Sequence, residues 1–308
     1  MGKTGRNPGL RFGPQELREA RQLIRLALAE DLPHGDITTQ ALVPPRTHIR
    51  ALFVPRERGV VCGLPVVVEL LRRIDRRIAS TPLHRDGDMV KAGDPILEIA
   101  GPAQSILEGE RTALNFIQRL SGIATTTRAW KSTLRGFRAL LLDTRKTIPG
   151  WRYLEKYAVR AGGGTNHRFN LSEQALVKDN HMHILRAVGA GGPREWVSAI
   201  RKKCPGVEVE VEVESLEEFR EAVAAGADII LLDNMTPAQM AQAARLTARL
   251  RKGVRPLLEA SGGIDARSLR KVARTGVDRI SAGSLTHSAL ALDIGLDLLE
   301  VYCEGDGN

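Results

Sequence analysis

"VEVEVEVESLEEFREAVAAGADIILLDN", residues 207–234, decides the architecture. Strict alternation from Val207 to Glu214 reads as a strand with valines on one face and glutamates on the other. Ser215 with Glu218 forms a capping box that opens a helix, and Gly226 closes it. "ADIILLDN" then returns to a short apolar run of the kind buried on both faces of a sheet. Strand, helix and strand in direct succession make one right-handed crossover unit of a parallel sheet.

The same unit recurs on either side. "RALLLD", "QALVKD", "RPLLEASGG" and "VDRISAGS" are apolar runs that end in polar residues, and "TPAQMAQAARLTARL" is a further helix with Thr236 as cap and Pro237 in its first turn. Units of about 20 to 35 residues with buried strands predict a parallel α/β barrel whose polar strand ends face one mouth. Upstream, Leu17, Ala20, Ile24, Ala27 and Leu28 recur at helical spacing, and short β-like runs between Ile49 and Ile99 surround one helix, "PVVVELLRRI". This predicts a small α+β domain. Within it "HRDGDMVKAGDPILEIAG" reads as plain hairpins with Gly87 and Gly93 at positive φ, since Lys91 lacks the exposed-tip setting of a carrier lysine. The expected organisation is a disordered tail over 1–14, the α+β domain over 15–122, the barrel over 123–286, and a C-terminal helix over 287–304 packed on the first domain.

With 45 Lys plus Arg against 36 Asp plus Glu the chain carries +9, which calls for an acidic partner. Aromatic residues are only 4% and no basic-aromatic motif occurs, which argues against nucleic acid. Cys62, Cys204 and Cys303 lie far apart, so neither a disulfide framework nor a structural zinc site is expected, and a reducing cytoplasm fits. The polar start "MGKTGRNPGLRFGPQ" has no apolar core, and no apolar run approaches the about 18 residues of a membrane span. A soluble protein is expected, with no membrane partner.

The strand ends supply the candidate chemistry: Asp143 to Lys146, Lys178 to Asn180, Glu210/Glu212/Glu214, Asp233-Asn234, Glu259 to Gly263, and Ser281 to Ser284. The turns "EASGGID" and "SAGSLTHS" each pass from strand to helix through small residues, so backbone N–H groups at Ser261, Gly262, Gly263 and Gly283 can cradle a phosphate. Glutamates facing the lumen need a metal, ligand hydroxyls or facing cations. Glu212 and Asp233 suit an oxygen-ligand Mg²⁺ site, whereas Glu208 and Glu214 read as solvated strand ends. Arginine supplies 35 of the cations and lysine 10, yet Lys146, Lys156 and Lys178 share one short window. Lys156 reads as part of a solvated helix face. Arg145, Lys146, His167, Arg168 and Lys178 would ring one side of the mouth, arginine gripping planar carboxylates and lysine phosphate oxygens. The ligand read from these residues is polyanionic.

"DTRKTIPGWRYLEKYAVRAGGGTNHRFNLSEQALVKDNH" closely resembles the signature of the quinolinate phosphoribosyltransferase family, and "AEDLPHGDITT", "EGERTALNFIQRLSGIAT", "ILLDNM", "LEASGGI" and "ISAGSLTHS" follow in the family's order. The likeness runs from about residue 20 onward, with Asn170 standing where many members carry glycine. It implies an N-terminal open-faced α+β sandwich on an incomplete, seven-stranded parallel α/β barrel. The implied reaction joins quinolinate to 5-phosphoribosyl 1-pyrophosphate with Mg²⁺, giving nicotinate mononucleotide, pyrophosphate and CO₂. By the same resemblance Arg111, Arg145, His167, Arg168 and Lys178 are the anion-binding cations, with Lys146 shared toward pyrophosphate. Glu212 and Asp233 hold ribose hydroxyls and Mg²⁺-linked water, and Ser261, Gly262, Gly263 and Gly283 hold the 5′-phosphate. A homodimer or dimer-based hexamer with shared sites is implied, Arg111 reaching into a neighbour's mouth; within its own chain Arg111 could instead pair with Glu108, three residues earlier. Two alternatives stay open: a barrel using Lys178 for a Schiff base, and a same-fold paralogue acting on another acceptor.

Overall fold

The computed structural model describes residues 10–250 and 255–303, so the tail expected over 1–14 lies, for residues 1–9, outside the described residues. The chain divides into two compact units: Met1–Arg128 with Thr147–Gly163 and Leu285–Asn308, and Ala129–Lys146 with Gly164–Ser284. The boundary expected at 122/123 thus lies a few residues later, and one internal segment groups with the first unit.

In the first unit, helix α1 (Pro14–Asp31) begins on a proline, and Glu16 accepts the Gly13 N–H at 3.0 Å, so the first turn satisfies itself. Asp36 caps the short α2 (Ile37–Leu42) by accepting the Thr38 and Thr39 N–H groups. Strand β1 (Thr47–Pro55), β2 (Gly59–Val60), helix α3 (Leu64–Ile74), β3 (Ala79–Pro82), β4 (Met89–Val90) and β5 (Leu97–Pro102) lead to the long α4 (Ala103–Thr133). Gly87 and Gly93 take positive φ, +92° and +85°, beside the β2–β4 pairing, as the hairpin reading requires.

The second unit holds a wholly parallel sheet. Its strands are β6 (Leu140–Leu142), β7 (Ala175–Val177), β8 (Val209–Val213), β9 (Ile229–Asp233), β10 (Leu257–Ser261) and β11 (Arg279–Ser281), in the order β6-β11-β10-β9-β8-β7. Between them lie α5 (Arg152–Ala161, grouped with the first unit), α6 (Asp179–Ala187), α7 (Pro193–Lys203), α8 (Leu216–Ala225), α9 (Pro237–Thr247) and α10 (Leu269–Ala273). Ser215 caps α8 and Gly226 ends it at φ +76°, while Thr236 caps α9, so the start and stop residues act as their chemistry dictates. Six strands form rather than seven. The seventh position is reduced to Thr165, which bridges Leu142 and donates its N–H to the Leu141 carbonyl at 2.8 Å. Three glycines precede it and Asn-His follows, so a single β-former has no run to extend.

After the short α11 (Ser284–His287) the expected helix over 287–304 is instead strand β12 (Ile294–Cys303). It pairs antiparallel with β1 from Pro55↔Ile294 to Thr47↔Cys303, giving the first unit a sheet of order β12-β1-β5-β3. The edge of β1 offers a full row of unpaired backbone groups, and satisfying them outweighs the helix propensity of "LDLLE". Lys156, expected on a solvated face, is fully enclosed, because nearly every side chain of α5 from Leu154 to Val159 is buried. No helix among the described residues is long and apolar enough to cross a membrane.

Candidate active site

Alternation along β8 buries every residue from Val209 to Val213, with Glu210 fully enclosed and Glu212 nearly so. At the strand's end Glu212 Oε2 lies 3.8 Å from Lys178 Nζ, at the start of α6. Burial raises the Glu212 carboxyl above the ordinary glutamate value; Lys178 opposes that shift, and neighbouring Asp233 and Asp179 add to it. Asp233, at the end of β9, accepts the Asn234 Nδ2–H at 2.8 Å. Lys178, Glu212 and Asp233 therefore meet at one end of the sheet.

Asn234 has φ +51°, the one non-glycine in the left-handed region among the described residues, and its N–H donates to the Ser261 carbonyl at 3.1 Å. That packing leaves no room on Gly262, at φ +89°: a Cβ there would lie 2.6 Å from Asn234 Cγ and 2.7 Å from its backbone nitrogen. Gly263 follows at φ +57° with open space beside it. Across β11, Ser284 Oγ is buried without a hydrogen-bond partner just after Gly283. Ser261, Gly262, Gly263 and Gly283 thus line two adjacent strand ends whose backbone a bulky side chain would block.

The cations split into groups. Arg168 is buried, its Nη1 donating to the Gln174 carbonyl at 2.7 Å. Burial, and next the charge of Arg145, push its guanidinium below the ordinary arginine value. Arg145 Nε is buried without a hydrogen-bond partner. Lys146 is exposed one position further on. His167 turns the other way. Its Nε2 lies 3.2 Å from Glu210 Oε2 and 3.2 Å from Glu259 Oε1, and its Nδ1 accepts the Arg168 N–H at 2.8 Å. The contact with Glu259 is close but poorly directed, since neither Glu259 oxygen has an aligned donor. Burial lowers the imidazole's proton affinity, but the two glutamates outweigh it and raise the ring to about 9. Because Nδ1 already accepts an N–H, the extra proton that this affinity represents belongs on the carboxylate side of the cluster.

Asp143, named among the strand ends but given no role, is fully buried at the end of β6. It accepts the His167 N–H at 2.8 Å and the Asn166 Nδ2–H at 2.6 Å, tying the 166–168 segment to the strand. Its place in "LLLD", a polar residue closing an apolar run, was the available signal. Arg111 lies on α4 in the first unit, exposed. The alternative pairing with Glu108 is absent, and among the described residues its guanidinium has no ion-pair or hydrogen-bond partner. Lys178 has 48% of its side chain exposed, which is not the desolvated lysine that Schiff-base chemistry wants.

A parallel α/β sheet with cations, a carboxylate pair and glycine turns at its strand ends makes a site of the anion-binding class. The chain matches the quinolinate phosphoribosyl transferase N-terminal domain over residues 36–121 and the C-terminal domain over residues 123–297. It is 44% identical over 286 residues to a nicotinate-nucleotide pyrophosphorylase (carboxylating) from Mycobacterium leprae, covering 92% of this chain and 98% of that protein. It is 42% identical over 281 residues to a probable nicotinate-nucleotide pyrophosphorylase (carboxylating) from Bacillus subtilis, covering 91% and 93%. The solved nicotinate-nucleotide pyrophosphorylase of Francisella tularensis superposes with a TM-score of 0.85 at 40% identity, covering 92% of this chain and 96% of that one. The chain belongs to the quinolinate phosphoribosyl transferase family. It is a phosphoribosyltransferase of the carboxylating nicotinate-nucleotide pyrophosphorylase type, an enzyme of NAD biosynthesis.

Proposed function

We propose that the mouth of the second unit binds quinolinate against Arg145 and Arg168, and phosphoribosyl pyrophosphate against Lys146, Lys178, Ser261, Gly262, Gly263 and Gly283. The observation that carries this reading is the pair of neighbouring arginines. Arg168 is buried within the field of Arg145, and Arg145 Nε has no partner of its own. Like charges held together away from water call for an anion, and adjacent carboxylates on a flat ring suit two planar guanidinium forks.

The pyridine nitrogen attacks the anomeric carbon as the bond to pyrophosphate breaks. Positive charge then grows on the ribosyl ring, and Glu212 and Asp233 stabilise it. Their all-oxygen donor set fits Mg²⁺ held through water, which when bound neutralises the departing pyrophosphate. Transfer leaves the ring nitrogen positively charged. The C2 carboxylate departs as CO₂, and the electrons of the broken C–C bond remain at C2 beside that nitrogen until a proton takes them, so no dedicated base is required. Arg111, exposed and without a partner among the described residues of its own chain, serves the mouth of a second subunit, in a homodimer or dimer-based hexamer working in the cytoplasm.

Incubation with quinolinate, phosphoribosyl pyrophosphate and Mg²⁺ should yield nicotinate mononucleotide; folded protein that forms none removes this assignment. Nicotinate should not substitute for quinolinate, because the cations that face the 2-carboxylate would be left buried and unpaired. Comparable turnover with nicotinate would show that the arginine pair serves another anion.

A further inference from the structure

Beneath the mouth, the second unit buries a polar lattice that touches neither the phosphate cradle nor the Glu212–Asp233 pair. Its hub is Glu210, fully enclosed in the middle of β8. Glu210 Oε2 accepts Gln174 Nε2–H at 3.1 Å and lies 3.2 Å from His167 Nε2. Each of these two neighbours then reaches Arg168. The His167 ring accepts the Arg168 backbone N–H at 2.8 Å, and the Gln174 carbonyl accepts Arg168 Nη1 at 2.7 Å. One carboxylate therefore steadies the two residues that hold Arg168, one at its backbone N–H and one at its guanidinium.

His167, Glu210 and Glu259 also come close enough together to suggest a metal site. The hydrogen bonding decides against it. With Nδ1 accepting an N–H, a neutral ring carries its proton on Nε2, which then faces the carboxylates as a donor and has no lone pair for a metal. The ring is a strut between β8 and the 166–168 segment.

We propose that Glu210 is a positioning residue for acceptor recognition, holding His167 and Gln174 and through them fixing Arg168. The inference rests on the reading that Arg168 grips a carboxylate of quinolinate. Near the barrel seam between β6 and β7 the Arg168 segment borders a cavity of about 230 Å³, lined also by Thr165, Asn166 and Arg279, so that side offers space into which a loosened segment could shift. Buried side chains that fix a binding group act by limiting its spread of positions, and displacement by about 1 Å suffices to lose much of its effect.

Steady-state kinetics with each substrate varied in turn provide the test. Glu210→Ala should raise the KM for quinolinate roughly ten-fold or more, while the KM for phosphoribosyl pyrophosphate stays within about two-fold. Glu210→Gln keeps an acceptor for Nε2–H and should restore quinolinate KM to within about three-fold of wild type. Glu210→Ala combined with His167→Ala should be no worse than the poorer single variant, because both act through one path. Equal loss for both substrates, full additivity, or no rescue by glutamine would overturn the proposal. Arg168→Ala separates the two levels: if it leaves quinolinate KM unchanged, the acceptor-site reading itself fails, whatever Glu210 does. A measurement on wild-type protein stands even if Glu210→Ala does not fold. In ¹⁵N-histidine-labelled enzyme, His167 Nδ1 should report an unprotonated nitrogen and Nε2 a protonated one. A doubly protonated ring would leave Nδ1 unable to accept the Arg168 N–H and would sink the strut. Zinc or manganese copurifying in stoichiometric amount and lost in Glu210→Gln would do the same.

Discussion

At the scale of single residues the site divides its labour between charge that grips and charge that stabilises. If Arg145 and Arg168 meet ground-state carboxylates as proposed, removing either should weaken quinolinate binding by about 1.5 to 3 kcal/mol, the cost of a charged hydrogen bond, as calorimetric titration would show. In the proposed reaction Glu212 and Asp233 act on a ribosyl group whose charge exists only in flight. Glu212→Gln and Asp233→Asn should therefore depress kcat far more than they change quinolinate affinity. Identical kinetic defects in the two sets would refute the division. Sequence reading placed these residues at one end of the sheet because strand ends in a barrel converge, whatever their side chains do next. It could not see the surroundings of His167 for the same reason. Position along the chain puts His167 beside Arg168, but whether its ring faces ligand or core is decided by Glu210 and Glu259, on strands 43 and 92 residues away by their numbering. Lys156 was misjudged likewise, since enclosure on all sides of α5 is a tertiary fact with no local pattern.

At the scale of elements, two turns carry testable energetics. Gly262 combines φ +89° with a neighbour's backbone where a Cβ would sit, so Gly262→Ala should cost about 1 to 3 kcal/mol in strain and raise the KM for phosphoribosyl pyrophosphate with little effect on quinolinate. Denaturant midpoints and the two KM values check it. The start of α3 is held differently. Asp86 accepts the Gly63 and Leu64 N–H groups at 3.0 and 3.1 Å and the Tyr157 hydroxyl at 2.8 Å. Burial nevertheless outweighs these bonds and raises its carboxyl from 3.8 to about 6. A carboxyl whose folded pKa is raised binds its proton more tightly in the native state, so this contribution to stability is lost as pH rises from about 4 through about 6. At roughly 1.4 kcal/mol per pH unit the ceiling is about 3 kcal/mol, reduced by the part of Asp86 that solvent still reaches. Asp86→Asn should flatten that portion of the stability profile; an unchanged slope between wild type and variant would show that Asp86 does not titrate there. Capping residues such as Ser215 and Thr236 were legible because their chemistry is local. β12 was not, because an apolar segment ending a chain becomes strand or helix according to which edge awaits it.

At the scale of the whole molecule, the proposed sharing of sites makes an arithmetic claim. Arg111→Ala and Lys178→Ala should each be nearly inactive as pure dimers. Mixing them under conditions that exchange subunits makes half the dimers mixed, each with one intact site of two, so activity should recover to about a quarter of wild type. Failure to recover despite demonstrated exchange would confine Arg111 to its own chain. The parallel sheet was readable from periodicity alone, whereas its missing seventh strand was not: Thr165 takes that place with one bridge, and only the glycines before it hint that pairing ends so soon. The pairing of β12 with β1 reaches further than architecture. Arg50 meets Glu300 across 250 positions of chain, so during synthesis on the ribosome β1 is made early and its outer edge stays open until nearly everything else has been translated. The sheet that β1 begins is thus completed only after the parallel sheet between β1 and β12 has been made, and through that interval its bare edge is the nascent chain's point of exposure to other strands.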